Sequence, residues 1–275
     1  MRQLALLDKI EARDQRGRLL KSHTVLYSGL FSIQSKGFCN PLVQECDVPK
    51  KRFPTSQAVL DRRKVEDNNR LAAIQAQPYQ HRHFTQEGFT KIQVPEHIFR
   101  AYRGFFDANK AQLLNELWTV DNVFVSQFDA PTLKLTLPES GWMKPLLFEE
   151  VQKLMEEWLG DKVTLKPVAM YGIRLYTRNT WLAMHVDRPD THIISCIINI
   201  DQEVEEPYPL QIMDHEGVLH SVTLEPGEMV LYEGATCAHG RTNPLRGKFY
   251  ANLFVHFKPA EISEKVRVVY NNSSA

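Results

Sequence analysis

PLQIMDHEGVLHSVTLEPGEMVLYEG, residues 209–234, covers all but the first residue of three short runs rich in Val, Ile, Leu and Tyr, at 208–213, 218–224 and 229–233, parted by the turn signals HEG and EPGE. Runs of the same kind stand at 164–176 and 191–200 before it and at 248–257 after it, the last behind NPLRG. Short strands following helices predict a mainly β protein with flanking helices (α+β), a β-sandwich or jelly roll rather than a parallel sheet. No glycine-rich phosphate loop opens a helix, and no GxSxG elbow is present.

Upstream, the alternating FTKIQVP (89–95) predicts a strand, and Pro95 then starts a helix in EHIFRAYRGFFDANKAQLLNELW, where Ile98, Tyr102 and Phe105 recur at helical spacing. PLLFEEVQKLMEEWL (145–159) predicts a second helix with Leu147, Val151, Leu154 and Trp158 on one face and Gly160 just past its end. Residues 1–85 are polar, with helical periodicity only in pieces near 3–15 and 56–77, and read as a partly ordered extension. The organisation expected is therefore this extension, a domain over 86–260 and a tail over 261–275 whose polar end NNSSA frays.

A length of 275 residues is between one and two domains at roughly 150 residues each, and 43% apolar residues suffice for a sizeable core. Formal net charge is zero, which argues against a dedicated nucleic-acid binder, although the first 90 residues carry about +6 and the rest about −6. The apolar start MRQLALLDKI is cut by Asp8 and Lys9, well short of a secretory core, and no window approaches a membrane span. Cys39, Cys46, Cys196 and Cys237 show no paired metal spacing, so an intracellular, reducing compartment is expected, cytoplasmic first. The basic clusters at 50–52 and 62–64 faintly match a bipartite nuclear signal, and more simply a solvated basic face. Oligomeric state is left open.

In WLAMHVDRPD, His185 and Asp187 are two apart, and an extended backbone with a side-chain period of two points both to one side. His239 follows the strand MVLYE in what reads as a glycine-containing turn, ATCAHGRTNP, where a jelly roll returns it beside the first pair. Two imidazoles and one carboxylate on one face leave octahedral positions open, which suits non-haem Fe(II) oxygen chemistry. An HxD pair alone is equally read as a hydrogen-bonded loop histidine and a turn aspartate. Lys248 shifts that balance: it begins KFYANLFVHF, and a cation facing inward from that strand needs an anion, which a dicarboxylate cosubstrate supplies. Arg246 has the same parity and competes as the anchor, and a solvated turn charge is the alternative for either, more so for Arg246.

LYTRNTWLAMHVD (175–187), ISCIINID (194–201), residues 209–234 and HGRTNPLRGKFYANLFVHF (239–257) together resemble the Fe(II)- and 2-oxoglutarate-dependent dioxygenases, in their prolyl 4-hydroxylase-like branch. The resemblance covers about 88 to 258 and implies a double-stranded β-helix, the cupin-like jelly roll. It makes His185, Asp187 and His239 the iron ligands through which catalysis runs, and Lys248 the partner of the remote carboxylate of 2-oxoglutarate. Tyr176 takes roughly the place of a tyrosine that holds the cosubstrate, and Asn199 and Asn252 offer further polar contacts or satisfy local backbone. The cofactors implied are Fe(II), 2-oxoglutarate and O2, with ascorbate as an accessory reductant. The substrate implied is a prolyl residue in a peptide or protein; a free amino acid or other small metabolite is the alternative, and a non-catalytic binding or scaffold module the reading outside the class. EVEEPYP stands where many relatives carry a double-glycine turn. Of the other histidines, His81 and His83 (QHRHF) precede the barrel and read as a surface loop, and His192, His215, His220 and His256 as packing or solvent-facing residues.

Overall fold

A seven-stranded and a four-stranded antiparallel sheet pack face to face in the computed structural model, which describes residues 6–13, 19–27, 57–116, 130, 132–160 and 163–260. The larger sheet runs in the order β3 (Phe89–Gln93), β11 (Glu228–Tyr232), β8 (Ile194–Val204), β13 (Gly247–Pro259), β6 (Leu165–Thr177), β5 (Thr132–Leu135) and β4 (Leu114–Asn115). The smaller runs β10 (Leu219–Val222), β9 (Leu210–Met213), β12 (His239–Arg241) and β7 (Leu182–His185). With helices on the outer face of the larger sheet, this is the helix-buttressed jelly roll the strand pattern predicts, in the double-stranded β-helix form the resemblance implies.

The run THIISCIINI is apolar without alternation because β8 is buried on both faces. Ile194, Cys196, Ile198 and Ile200 face outward with Phe249, Ala251, Leu253, Val255 and Phe257 of β13, against α2 (Glu96–Asn109) and α3 (Met143–Leu159). Ile98, Tyr102 and Phe106 of α2 and Met143, Leu147, Val151, Met155 and Leu159 of α3 make the contact. These stripes differ from the expected ones. Four-residue spacing carries the fully buried column to Phe106, Met155 and Leu159, while Phe105, Leu154 and Trp158 pack half-buried beside it, because adjacent columns share one apolar arc. Gly160 stands past the end of α3 at φ 83°, where a residue without Cβ ends the helix cheaply.

The inner faces of the two sheets meet around Tyr176, Ile197, Leu210, Ile212, Val230, Tyr232, Tyr250 and Phe254. On the far side of the smaller sheet lies α1 (Gln57–Gln80), whose Ile74 packs with Met184, Val186, Met213 and Ala238. The helical piece near 56–77 is thus a helix seated on the barrel. The piece near 3–15 is corrected: β1 (Leu6–Arg13) is a strand paired antiparallel with β2 (Leu19–Tyr27), a short apolar run being open to either period. His239 is also corrected from a turn to a strand, β12, whose three residues are too few to show alternation. The basic cluster at 50–52, Cys39, Cys46 and the tail from 261 lie outside the described residues, and 62–64 fall on α1. Among the described residues no helix is long and apolar enough to cross a membrane.

Candidate metal centre

β7 and β12 are neighbours, and their register sets His239 directly opposite His185. The approach is close because Gly240 has no side chain: a Cβ there would lie 2.9 Å from the Ala183 carbonyl. Asp187 follows two residues after His185, its amide donating to the Gly234 carbonyl at 2.7 Å. Gly234 is needed at that point, since a Cβ would come within 2.3 Å of Asp187 Oδ2. One ligand atom from each of His185, Asp187 and His239 then falls within 4.8 Å of the others. His185 Nε2 is 3.7 Å from Asp187 Oδ1, and His239 Nε2 is 3.9 Å from Asp187 Oδ2.

The outer nitrogens are spoken for. His185 Nδ1 lies 2.8 Å from the Ala183 carbonyl and His239 Nδ1 lies 2.9 Å from the Cys237 carbonyl, so each Nδ1 carries the proton and donates. Each Nε2 lone pair is thereby turned to the shared point, the tautomer a metal takes. Burial, then repulsion from His239, holds the His185 pKa well below 6.5 and keeps the ring neutral. Burial pushes the Asp187 carboxyl up, opposed by His239, His192 and hydrogen bonds from Tyr232 and Ser195. The Tyr232 hydroxyl and Ser195 Oγ both donate to Oδ2, each at 3.4 Å. Two imidazoles and one carboxylate fit a divalent ion of the Fe(II) type with open coordination positions.

The structure does not bring the expected anchors inward. Lys248 has a side chain 47% exposed and lies 3.6 Å from Glu203, and Arg246 is exposed with Nη1 3.5 Å from Asn179 Oδ1. The inward-facing cation read at Lys248 is thus corrected. A register shift between Gly247 and Phe249 breaks the alternation on which that reading depended, and the competing reading of Arg246 as a solvated charge matches its exposure. Tyr176, Asn199 and Asn252 are all fully buried. Asn199 Nδ2 donates to Gln202 Oε1 and the Leu224 carbonyl, each at 2.8 Å, while its Oδ1 has no partner. Neither amide atom of Asn252 has a partner, nor does the Tyr176 hydroxyl, which lies beside the Arg174 guanidinium without a well-formed hydrogen bond. Arg174, Asn252 and Asn199 stand in register across β6, β13 and β8.

Several residues around the centre were not singled out by sequence. Gln77 of α1 donates from Nε2 to the carbonyls of Asp187 (2.6 Å) and Ala235 (2.8 Å), and Arg70 Nη1 reaches the Met184 carbonyl at 2.6 Å, so the helix fastens the backbone on both sides of the trio. His256 Nδ1 meets Ser195 Oγ at 2.8 Å, and the His192 ring lies 4.0 Å from that of His256. The half-exposed Tyr171 completes this row to the surface, its hydroxyl 3.0 Å from His192 Nε2. His256 and His192, read as packing or solvent-facing, thus line one side of the centre. Arg241, also missed, is a fully buried cation two residues after His239. A register shift between His239 and Arg241 breaks the period of two through HGR, so parity would not have found it.

No family model and no curated protein matches this sequence. Among solved structures the chain is similar to a prolyl-4-hydroxylase of Pseudomonas putida, at 15% identity and a TM-score of 0.48 over 62% of this chain and 92% of that one. It is similar to a prolyl hydroxylase of Trichoplax adhaerens, solved in complex with a hypoxia inducible factor oxygen degradation domain peptide fragment, at 12% identity and a TM-score of 0.45 over 74% and 94%. It is also similar to an oxidoreductase of the 2OG-Fe(II) oxygenase family from Burkholderia pseudomallei, at 12% identity and a TM-score of 0.44 over 62% and 84%. Two of these structures are named as prolyl hydroxylases and the third as a 2OG-Fe(II) oxygenase, and the likeness is one of fold.

Proposed function

We propose that this chain is an Fe(II)- and 2-oxoglutarate-dependent dioxygenase that hydroxylates a C–H bond, with a prolyl residue of a peptide or protein as substrate. The observation that carries the reading is the convergence of His185 Nε2, His239 Nε2 and an Asp187 oxygen on one point with both histidine tautomers fixed. The prolyl substrate rests on the branch resemblance of the motifs. Residues 86–260 form the proposed catalytic unit, with α1 of the preceding extension tied to its metal loop through Gln77. The buried thiols Cys196 and Cys237 suit a reducing, intracellular compartment.

His185, Asp187 and His239 would hold the iron. Bound there, Fe(II) with 2-oxoglutarate and O2 supplies an oxidative decarboxylation to succinate and carbon dioxide coupled to hydroxylation of the substrate. The chain's own part is geometric and electrostatic. Carbonyls at Ala183 and Cys237 lock the imidazoles, Ser195 and Tyr232 hold Asp187 Oδ2, and burial of His239 excludes bulk water. Tyr176, Asn199 and Asn252 present unpaired polar atoms inside the barrel, suited to a polar cosubstrate rather than to an apolar filling.

The test is an anaerobic titration of the metal-free protein with Fe(II) and then 2-oxoglutarate, read by visible absorbance. A charge-transfer band needing both additions and abolished in Asp187→Ala, with iron affinity down by more than about 100-fold, is expected. A folded protein that binds no iron overturns the reading and leaves a binding module. Succinate release then sorts substrates: stimulation by proline-containing peptides and not by free amino acids is expected, and the reverse pattern assigns a small metabolite.

A further inference from the structure

The fold pairs its other buried guanidinium groups with carboxylates. Arg174 makes a two-pronged bond to Glu116, Nε to Oε2 at 2.7 Å and Nη2 to Oε1 at 2.8 Å, and Arg70 lies 3.0 Å from Asp67. Arg241 is different. It is 1% exposed, and among the described residues no carboxylate pairs with it. Its Nη1 donates to the Tyr208 carbonyl, its guanidinium lies 4.9 Å from the Tyr208 ring centre and 4.5 Å from that of Tyr250, and Nη2 has no partner. Arginine stays charged at any working pH, and an unpaired buried cation is expensive, so this arrangement makes sense when an anion is to be received.

The position says which anion. Arg241 is two residues beyond the distal histidine on β12, past a register shift, and its packing on Tyr208 and Tyr250 of the inter-sheet cluster places its guanidinium inside the barrel. Tyr176 stands in the same cluster, its ring centre 5.9 Å from that of Tyr208, with its hydroxyl on the Arg174 side. A fork of N–H donors is carboxylate chemistry, set two residues from a ligand of a centre that would hold a 2-oxo acid. Lys248 and Arg246, the cations expected to do this, already face solvent.

We propose that Arg241 takes the remote carboxylate of 2-oxoglutarate, and that selection of a dicarboxylate cosubstrate is made from β12 rather than from the start of β13. The inference rests on the reading of the trio as an Fe(II) and 2-oxo acid centre. Its test compares 2-oxoglutarate with 2-oxobutyrate, which keeps the chelating end and lacks the remote carboxylate, by absorbance and calorimetric titration of the full chain loaded with Fe(II) without oxygen or substrate. Wild type is expected to prefer 2-oxoglutarate by about 100-fold or more. Arg241→Met lowers that preference to less than about tenfold and leaves Fe(II) and 2-oxobutyrate affinity in place, and Arg241→Lys, which keeps the charge if the methionine variant does not fold, restores part of it. Lys248→Ala and Arg246→Ala keep the preference. If Lys248→Ala abolishes it and Arg241→Met does not, the assignment is overturned while the oxygenase reading stands; if folded wild type gives an iron-dependent signal with neither acid, both fall.

Discussion

The two faces of β13 are about equally buried and chemically opposite. Toward the helices it turns Phe249, Ala251, Leu253, Val255 and Phe257, all apolar; into the barrel it turns Tyr250, Asn252, Phe254 and His256. The same split holds on β8, with Ile194, Cys196, Ile198 and Ile200 outward and Ser195, Ile197 and Asn199 inward. Burial alone selects apolar residues, and a buried amide without a partner costs on the order of 1–3 kcal/mol. Polar groups confined to one of two buried faces therefore mark the face that meets a ligand, and the other face carries stability. Each face can be perturbed separately.

The largest effect is expected on the outer face. Leu147 of α3 is wholly buried against that face, and Leu147→Ala leaves a cavity worth about 2–5 kcal/mol in denaturant unfolding. Iron bound per folded molecule should be unchanged, and a lost iron site in a folded Leu147→Ala protein breaks the division of labour. On the inner face the sign reverses. Asn252→Leu keeps the branching of the side chain and removes two unsatisfied polar atoms, so the ligand-free protein should gain roughly 1–3 kcal/mol while 2-oxoglutarate binds more weakly. Lower stability in that variant would mean the amide is satisfied inside the fold.

The same division explains what sequence reading reaches. Strands β6, β8, β9, β10, β11 and β13 and the helices α2 and α3 are legible because alternation, apolar runs and turn residues act locally. So is the proximity of His185 and Asp187, two apart on extended chain. What was missed depends on contacts far apart in sequence. Gln77 reaches Asp187 from a helix that looked like a loose extension, and β12 is three residues with a register shift inside it, which hid the burial of Arg241. Lys248 failed for the converse reason: parity carried along KFYANLFVHF assumes an unbroken ladder, and a register shift at the strand's start turns the lysine out to Glu203.

The smallest expected effect separates the faces by pH. His256 is buried with Nδ1 on Ser195 Oγ, and the charged or titratable groups around it are His192, His239, Arg174 and His185. Burial first, then repulsion from these cationic or protonatable groups, holds its pKa well below 6.5. A base with a depressed folded pKa binds its proton more readily in the unfolded chain. Its contribution is therefore full above the unfolded pKa near 6.5 and is lost as pH falls from there toward the folded value, with a slope of at most about 1.4 kcal/mol per pH unit. His185, depressed for the same leading reason, adds to the slope. Urea unfolding of metal-free protein between about pH 7 and pH 5 should show stability falling with acid, and His256→Gln should remove one group's share of that slope. An unchanged slope in His256→Gln would mean that His256 takes up its proton inside the fold, and the inner face would then tolerate charge without a ligand, against the cost on which the contrast between the two faces depends.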